Sequence, residues 1–387
     1  MSRLKHICIY SNSPHENAGY SLQARYLTKF LKNSGYEVSI FANSGISGQA
    51  LRWKDIDVYP VRGNPYDLNM VRAYADFCKA DVVITLYDLF VLPDDARKQL
   101  GRPWIAWVPI DGEPVPSKVQ RVVKGADWVL AMSKFGQDQL AKVGIESEYM
   151  PLGIDCDVYC PGDRAAAREE FDFPPDAFVV GTVAMNKGWP CRKSFPELMD
   201  AFGRFHDKFP RNTLLYMHTT QTPYGTRAGA NIPGLMGRTG IPRDAVRITS
   251  EADIGIGVPE ETMAQLYRAM DVLLSPSMGE GFSLAPIEAQ ACGTPVITQD
   301  CTAMTEHTWY GQAIKPLQRF YVPQLDYWWN LASVPRIVDA LTAVYRSPRD
   351  ERAAKVGVHK VRQSYHWPDL FERKWQVFLQ KVEAQLW

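Results

Sequence analysis

The feature that most constrains this chain is a repeated unit, in which a short apolar run is followed by a loop and then by an amphipathic helical pattern. His6–Tyr10 is such a run, and Leu22, Tyr26 and Phe30 mark one face of the helix predicted after it. Apolar runs without polar alternation are typical of strands that are buried on both faces of a parallel sheet. The repeat therefore predicts an α/β fold of doubly wound sheets covered by helices.

The same alternation occurs on both sides of a segment that is rich in proline and glycine, 151–162. Strands are predicted before this segment at Glu37–Phe41, Val82–Leu86, Trp104–Val108 and Trp128–Ala131. Strands are predicted after it at Phe178–Val183, Thr213–Met217, Val246–Thr249, Val272–Ser275 and Pro295–Thr298. We expect two domains, with ligands bound beyond the carboxyl ends of the strands in a cleft between them.

Composition excludes several classes of protein. Hydrophobic residues make up 46% of the chain and charged residues 22%, which excludes intrinsic disorder. The 43 basic and 43 acidic residues cancel, so no global positive field would hold a nucleic acid or an anionic membrane. No apolar run is long enough for a transmembrane segment, and the seven cysteines contain no C-x-x-C pair. These observations predict a cytoplasmic chain with reduced thiols.

The stretch Ser275–Ile297 has the densest chemistry. A predicted strand runs into a glycine-flanked loop with one carboxylate, Glu280, and the helix after it carries a second, Glu288. Backbone N–H groups at the start of this helix favour a phosphate, and carboxylates accept hydrogen bonds from sugar hydroxyls. The residues predicted to supply those N–H groups are Gly281, Phe282, Ser283 and Leu284.

This stretch resembles the retaining glycosyltransferases of the GT-B fold, family four, whose hallmark is E-x7-E in the context E-G-F-G-x-x-x-x-E-A-x-A-x-G-x-P-V-I. Ser283 stands where the family usually has its second glycine. Tyr149–Asp155 resembles the interdomain segment of the family, and the pattern after Tyr365 resembles its closing helix.

The resemblance implies two Rossmann-like domains. An acceptor-side domain would span 1–155, with the C-terminal helix 368–387 packed back on it. A domain that binds the nucleotide sugar would span 156–367.

Val180–Asn186 followed by Arg192 and Lys193 resembles the strand and phosphate-binding turn of the family. The resemblance implies that Lys193 meets the donor diphosphate, with Arg192 and Lys187 as further basic donor-binding candidates. A solvated turn is the alternative interpretation of Arg192 and Lys193.

Two loops of the first half carry further candidates. Gly19 allows a ligand to approach the backbone closely at the start of the first helix, and the resemblance implies donor contact there. His15 and Glu16 of the same loop are candidates for the cleft or for a solvated loop. Asp111 follows a buried strand, where it could bind a hydroxyl or assist the leaving proton, or simply form an Asp-Gly turn.

Other residues have weaker support. His218, Tyr224, Arg227 and Arg238 lie in a region that could approach the nucleotide base. His307 is either a site residue or a surface residue. The aromatic run Tyr321–Trp329 could stack an acceptor, although packing is the favoured interpretation.

The resulting hypothesis is a retaining hexosyl- or pentosyltransferase that uses a uridine or guanosine diphosphate sugar, with Glu280, Lys193 and Asp111 as catalytic residues. We expect no metal ion and no cofactor beyond the donor. The alternatives are a nucleotide-sugar epimerase, a phosphorylase-like enzyme, or a non-catalytic module that binds sugar nucleotides. The acceptor stays open among lipid, glycan, small molecule, protein and modified nucleic acid, and so does the oligomeric state.

Overall fold

The computed structural model describes residues 4–223, 228–347 and 349–386, which form two compact units. The first unit contains the chain up to Gly153 and the chain from Trp367 on, together with residues 323–327. The second unit contains the rest, which is Ile154–Val322 and Trp328–His366.

The division differs from the predicted ranges chiefly in the short segment 323–327, which the sequence placed in the second domain. Asp326 of this segment accepts hydrogen bonds from the N–H and the hydroxyl of Ser117, at 3.3 and 2.7 Å. The Tyr327 ring lies against Gly112, where a Cβ atom would be 2.2 Å from the ring. These local contacts assign the segment to the first unit.

The described residues form sixteen strands. They are β1 (His6–Ser11), β2 (Glu37–Ala42), β3 (Leu51–Trp53), β4 (Ile56–Pro60), β5 (Val82–Leu86), β6 (Trp104–Val108), β7 (Trp128–Ala131), β8 (Glu148–Tyr149), β9 (Phe178–Val183), β10 (Thr213–His218), β11 (Val246–Ile248), β12 (Val272–Ser275), β13 (Val296–Gln299), β14 (Gly311–Ile314), β15 (Gln318–Val322) and β16 (Tyr327–Leu331).

The α-helices of the same residues are α1 (Gly19–Asn33), α2 (Leu68–Phe77), α3 (Ala96–Leu100), α4 (Ser117–Val123), α5 (Lys134–Lys142), α6 (Arg164–Glu170), α7 (Phe195–Lys208), α8 (Ile232–Thr239), α9 (Glu251–Ile256), α10 (Glu260–Ala269), α11 (Leu284–Ala291), α12 (Val334–Arg346), α13 (Glu351–Tyr365), α14 (Trp367–Leu370) and α15 (Val377–Leu386). A π-helical stretch, Phe371–Gln376, joins α14 to α15. Short 3₁₀ turns occupy Leu89–Val91, Arg243–Ala245 and Thr302–Glu306.

The first unit is built on an eight-stranded sheet with the order β3-β4-β2-β1-β5-β6-β7-β8. Its described pairs are parallel except for the pair of β3 with β4. The order runs outward from β1 in one direction and from β5 in the other, so it reverses between these two strands. Such a reversal point is where doubly wound sheets bind ligands.

Aromatic residues fill both faces of this sheet. All five residues of β6 are buried, and its two tryptophans find hydrogen-bond acceptors in the interior. The Trp104 indole donates to the Thr85 hydroxyl at 2.9 Å, and that of Trp107 donates to the Met150 carbonyl at 2.7 Å. Helical residues from the C-terminal segment cover one face, where Trp375 lies edge-on to Trp107 at 4.9 Å.

The second unit is built on a six-stranded parallel sheet with the order β11-β10-β9-β12-β13-β14. The order reverses between β9 and β12. Helices α7 and α12 pack together on this sheet through buried residues such as Phe202, Phe205 and Leu341. β15 and β16 form a separate two-stranded sheet.

The repeat predicted most of the central strands correctly. Val82–Leu86, Trp104–Val108, Trp128–Ala131, Phe178–Val183 and Val272–Ser275 are confirmed at their predicted bounds. Two parallel-sheet α/β units confirm the predicted fold class. Within the described ranges, no helix has both the length and the apolar character needed to cross a bilayer.

Candidate active site

The candidate site lies at the reversal point of the second sheet. β9 and β12 are neighbouring parallel strands, so the loops that leave their carboxyl ends emerge at the same edge. The first loop leads from β9 to α7 and carries Arg192 and Lys193, and the second leads from β12 to α11 and carries Glu280. The fold thus brings Glu280 to the adjacent residues Arg192 and Lys193, the second of which lies 87 positions earlier in the chain.

Glu280 forms an ion pair with each of the two basic residues. Its Oε2 lies 2.6 Å from Nη1 of Arg192, and its Oε1 lies 2.5 Å from Nζ of Lys193. The Glu280 side chain is 8% exposed, whereas those of Arg192 and Lys193 are 24% and 21% exposed. The two cations therefore retain access to solvent, and the carboxylate lies beneath them.

Electrostatics keep this carboxylate ionised. Burial by itself would raise the pKa of Glu280, but the attraction of Arg192 and Lys193, together with their hydrogen bonds, outweighs burial and lowers the pKa to about 2. One negative and two positive side chains leave the cluster with a net positive charge. Such a cluster is suited to an anionic ligand.

Backbone hydrogen bonds fix the loop that carries Glu280. The Glu280 N–H donates to the Thr302 hydroxyl at 3.0 Å, and the Glu280 carbonyl accepts from the N–H of Ala303 at 3.3 Å. Arg192 contacts the same loop twice. Its Nη1 donates to the Gly279 carbonyl at 2.5 Å, and the Arg192 carbonyl accepts from the N–H of Met278 at 2.8 Å. The two loops are thus joined by main-chain contacts as well as by ion pairs.

Helix α11 begins directly after this loop. Ser283 precedes it with φ +84°, in the left-handed region that favours glycine, which explains why the family usually has glycine there. The first amides of a helix have no intrahelical acceptor, so they are available to an anion. Of the predicted anion-binding residues, Leu284 lies at the start of this helix. Gly281 and Phe282 are buried in the turn before it.

Glu288 makes a different set of contacts from Glu280. It is 7% exposed, and its Oε2 accepts a hydrogen bond from the Tyr267 hydroxyl of α10 at 2.7 Å. Burial raises the pKa of Glu288 to about 7, although the Tyr267 hydrogen bond partly opposes that rise. The two glutamates of the E-x7-E pattern thus have opposite pKa shifts, because only Glu280 has cationic partners in contact.

Lys187 lies earlier in the β9–α7 loop and is exposed. The loop is anchored next to it by the buried amide of Asn186, which donates to the carbonyls of Thr220 and Ala230 and accepts from the N–H of Ala230. Asn186 was not among the predicted site residues. Its position one residue before Lys187 fixes the start of the loop.

His307 is buried, which is incompatible with the surface alternative that the sequence left open. Its Nδ1 lies 3.1 Å from the Tyr365 hydroxyl, and its ring meets the edge of Phe282 at 4.7 Å. Its carbonyl accepts from the Gln290 amide of α11 at 2.6 Å. His307 therefore supports the turn and the helix that follow Glu280.

The residues predicted near the nucleotide base are placed only in part. His218 ends β10 and lies 3.0 Å from the Thr249 hydroxyl, and burial lowers its pKa to about 4. Arg238 lies in the last turn of α8. Tyr224 and Arg227 lie outside the described residues.

The aromatic run 321–329 is divided between two faces of the β15–β16 sheet. Tyr327 and Trp329 are buried, as the packing interpretation predicted. Tyr321 and Trp328 are exposed, and their rings lie 5.6 Å apart.

The candidates of the first unit lie in loops at the carboxyl ends of its strands. Gly19 and His15 are exposed, with Gly19 at the first position of α1. Glu16 is tied both to its own loop and to the loop after β2, since its Oε2 accepts hydrogen bonds from Asn12 and from Ser44 at 3.0 and 2.6 Å. Asp111 is partly buried, three residues beyond the end of β6.

The two doubly wound units are those of the GT-B fold. The second unit carries the cationic cluster at the reversal point of its sheet. Residues 233–321 match the family described as glycosyl transferases group 1. The resemblance to GT-B glycosyltransferases is confirmed, in fold over nearly the whole chain and in sequence over that segment.

Curated relatives are similar to less than the whole chain. A D-inositol 3-phosphate glycosyltransferase of Mycobacteroides abscessus is 33% identical over 184 residues, which cover 46% of this chain and 38% of that protein. A second protein of that name, from Catenulispora acidiphila, is 32% identical over 48% of this chain and 44% of its own length. The matched segment thus spans less than half the length of these relatives.

Solved structures share the fold over nearly the entire chain. Sucrose-phosphate synthase from Thermosynechococcus elongatus has a TM-score of 0.77 at 19% identity, covering 98% of this chain and 100% of that one. HepE of Anabaena, solved in complex with UDP and glucose, has a TM-score of 0.73 at 14% identity, covering 97% of this chain and 100% of that one.

Proposed function

We propose that this protein is a retaining glycosyltransferase that moves a sugar from a nucleoside diphosphate sugar to an acceptor hydroxyl. The observation that carries the proposal is the cluster of Arg192, Lys193 and Glu280 at the reversal point of the second sheet. A diphosphate needs cations and amides, and a sugar needs hydrogen-bond acceptors. Both kinds of group lie within this cluster and the start of α11.

The relatives support this assignment. The family matched by residues 233–321 is described as glycosyl transferases, and the curated relatives are named glycosyltransferases. A solved structure of the same fold holds UDP and glucose, and another of the same protein holds UDP-glucose. Uridine is therefore the first base to test for the donor, with guanosine as the second.

The proposed reaction uses the cluster to stabilise the leaving group. The bond between the anomeric carbon and the diphosphate oxygen breaks while the acceptor oxygen bonds to that carbon on the same face. The acceptor proton passes to the departing phosphate oxygen, so no basic side chain is obligatory. Lys193 and the first amides of α11 stabilise the charge that develops on the diphosphate, and Arg192 and Lys187 add positive charge nearby.

Each carboxylate has a proposed partner in the substrates. Glu280 accepts hydrogen bonds from donor sugar hydroxyls, and Glu288, which lies on α11, is assigned to the same donor site. Asp111 is assigned to the acceptor or to the transferred sugar, and Gly19 to the donor diphosphate. The reaction is proposed to need no metal ion and no cofactor besides the donor.

A thermal-shift panel of UDP-glucose, UDP-N-acetylglucosamine, GDP-mannose and the free diphosphates UDP and GDP tests the donor assignment. A ligand that binds only the folded protein adds about 2.7 kcal/mol of stability at 100 times its Kd. We expect one base series to raise the melting temperature. A panel in which no nucleotide does so would contradict the proposed function.

Lys193→Ala tests the diphosphate contact itself. Calorimetry should show UDP and UDP-glucose weakened alike, by about 1.5 to 3 kcal/mol, because both ligands carry the same diphosphate and lose one charged hydrogen bond. Lys208→Ala is the matched control, since it removes an exposed lysine at the other end of α7. Equal effects of the two substitutions would assign Lys193 to a solvated turn.

A further inference from the structure

Glu280 forms ion pairs with the same two cations that the proposed donor diphosphate requires. Each of its two oxygens is bonded to one of them, Oε2 to Arg192 at 2.6 Å and Oε1 to Lys193 at 2.5 Å. A carboxylate that bridges two cations in this way presents the same negative charge and the same oxygen acceptors as a phosphate group. The chain itself thus supplies an anion to both cations.

The loop that carries Glu280 is held by contacts that do not involve the Glu280 carboxylate. Its backbone is fixed by Thr302 and Ala303, and the adjacent Gly279 carbonyl accepts from Arg192. A movement of Glu280 is therefore confined to its own side-chain torsions. The loop remains in place while the carboxylate changes partners.

We infer that Glu280 is an internal anion that competes with the donor diphosphate for Arg192 and Lys193 and thereby sets the preference for intact nucleotide sugar over free nucleoside diphosphate. The inference rests on the proposed function, and it names a residue that determines which nucleotide the site retains. When an intact donor binds, Glu280 exchanges its cations for hydroxyls of the sugar. When a free nucleoside diphosphate binds, Glu280 loses its ion pairs with Arg192 and Lys193, and no sugar hydroxyl is present to donate a hydrogen bond to it.

The consequence is a site that releases its product. After transfer the sugar has left, so the carboxylate again has only Arg192 and Lys193 as partners and displaces the diphosphate from them. A buried charge that loses its partners is costly, which makes the competition strong. Removing the charge at position 280 should therefore strengthen the binding of the bare diphosphate, although it removes a residue of the donor site.

Glu280→Gln separates this role from a plain contact with the sugar. The nucleoside diphosphate is whichever of UDP and GDP stabilises the wild type, paired with its glucose or mannose conjugate, and calorimetry measures both ligands. We expect the Kd of the free diphosphate to fall by roughly tenfold, equivalent to about 1.4 kcal/mol. The conjugate should gain less or weaken, because its hydroxyls lose a charged acceptor.

Two variants complete the test, with melting curves to establish that each is folded. Glu280→Asp keeps the charge, so its affinity for the free diphosphate should stay within about threefold of the wild type. Glu197→Gln replaces a half-buried carboxyl in the first turn of α7 with an amide and should change that affinity far less than Glu280→Gln.

Unchanged or weaker binding of the free diphosphate by a folded Glu280→Gln protein would overturn the inference and leave the donor assignment intact. A gain of the same size in Glu197→Gln would also overturn it, because a general change in charge would then explain the result. If the wild type bound neither UDP nor GDP, the proposed function would fail, and the inference with it.

Discussion

Asp111 is the residue of the first unit with the clearest chemical assignment. It follows β6, and the loop around it is held in place because Gly112 lies against the Tyr327 ring, where a Cβ atom would be 2.2 Å away. A carboxylate in a fixed loop beyond a strand's carboxyl end is suited to holding a hydroxyl of the acceptor or of the transferred sugar. This assignment predicts an effect on transfer rather than on donor binding.

Asp111→Asn keeps the shape of the side chain and removes its charge. We expect kcat/KM for the acceptor to fall by about ten- to a hundredfold, the loss of one charged hydrogen bond, while the Kd of the donor changes by less than about threefold. Steady-state kinetics and calorimetry measure the two quantities. Asp57→Asn, an exposed residue of β4, is the control. Normal transfer by a folded Asp111→Asn protein would make Asp111 a turn residue.

At the same scale, the sequence identified Glu280, Arg192 and Lys193 but not their contacts with one another. The motif context of Glu280 and the basic pair after β9 were visible in the sequence, since each depends on residues close together in the chain. Their ion pairs depend on two loops that meet only when β9 and β12 pair. Tyr267 and Thr302 were missed for the same reason, because a lone tyrosine or threonine has no local signature of a supporting role.

At the scale of the elements, one hydrogen bond links α10 to α11 inside the second unit. The Tyr267 hydroxyl is buried and donates to Glu288 at 2.7 Å. Burial raises the pKa of Glu288 to about 7, above the ordinary 4.5, so the folded state retains a proton that the unfolded chain releases. The stability that Glu288 contributes is complete below pH 4.5 and is lost as the pH rises through about 7.

The melting temperature of Glu288→Gln should therefore change less between about pH 5 and 8 than that of the wild type, because the amide has no proton to lose. Each pH unit inside the window alters the free energy of unfolding by at most about 1.4 kcal/mol in the wild type. Buried His218 and His307 have lowered pKa values, so the stability that they contribute decreases toward acid pH. This decrease is the same in the wild type and in Glu288→Gln. Glu261→Gln, exposed on α10, is the control, and parallel curves for wild type and Glu288→Gln would contradict the assignment.

Most of the central strands that the sequence predicted are largely buried on both faces. β5 and β6 are entirely buried, so their apolar runs are uninterrupted and easily distinguished. β3 was not predicted, because it lies at the edge of its sheet and its residues are exposed or half-buried. The β15–β16 sheet gave an aromatic run without a clear period, since aromatic residues occupy both its buried and its exposed positions.

At the scale of the whole molecule, charge is balanced overall and concentrated locally. The formal net charge is +0, so the chain as a whole does not attract an anionic donor. In the proposed donor site, the attraction comes from Arg192, Lys193 and the amides at the start of α11. Because the charge of the donor diphosphate is met by protein groups, the proposed reaction has no step that requires a metal ion.

The transfer reaction should therefore proceed in a chelator and should preserve the anomeric configuration of the sugar. Within residues 4–223, 228–347 and 349–386, no three His, Cys, Asp or Glu side chains are grouped so that they could hold a metal ion. We expect turnover in EDTA within about twofold of turnover with added manganese, and proton NMR of the first product should show the donor's configuration. The control adds manganese after EDTA to the same sample.

Activity that disappears in EDTA and returns with manganese would place a metal in the reaction. An inverted product would require attack on the opposite face and a basic side chain to accept the proton. Asp111 would then be the first residue to test for that role.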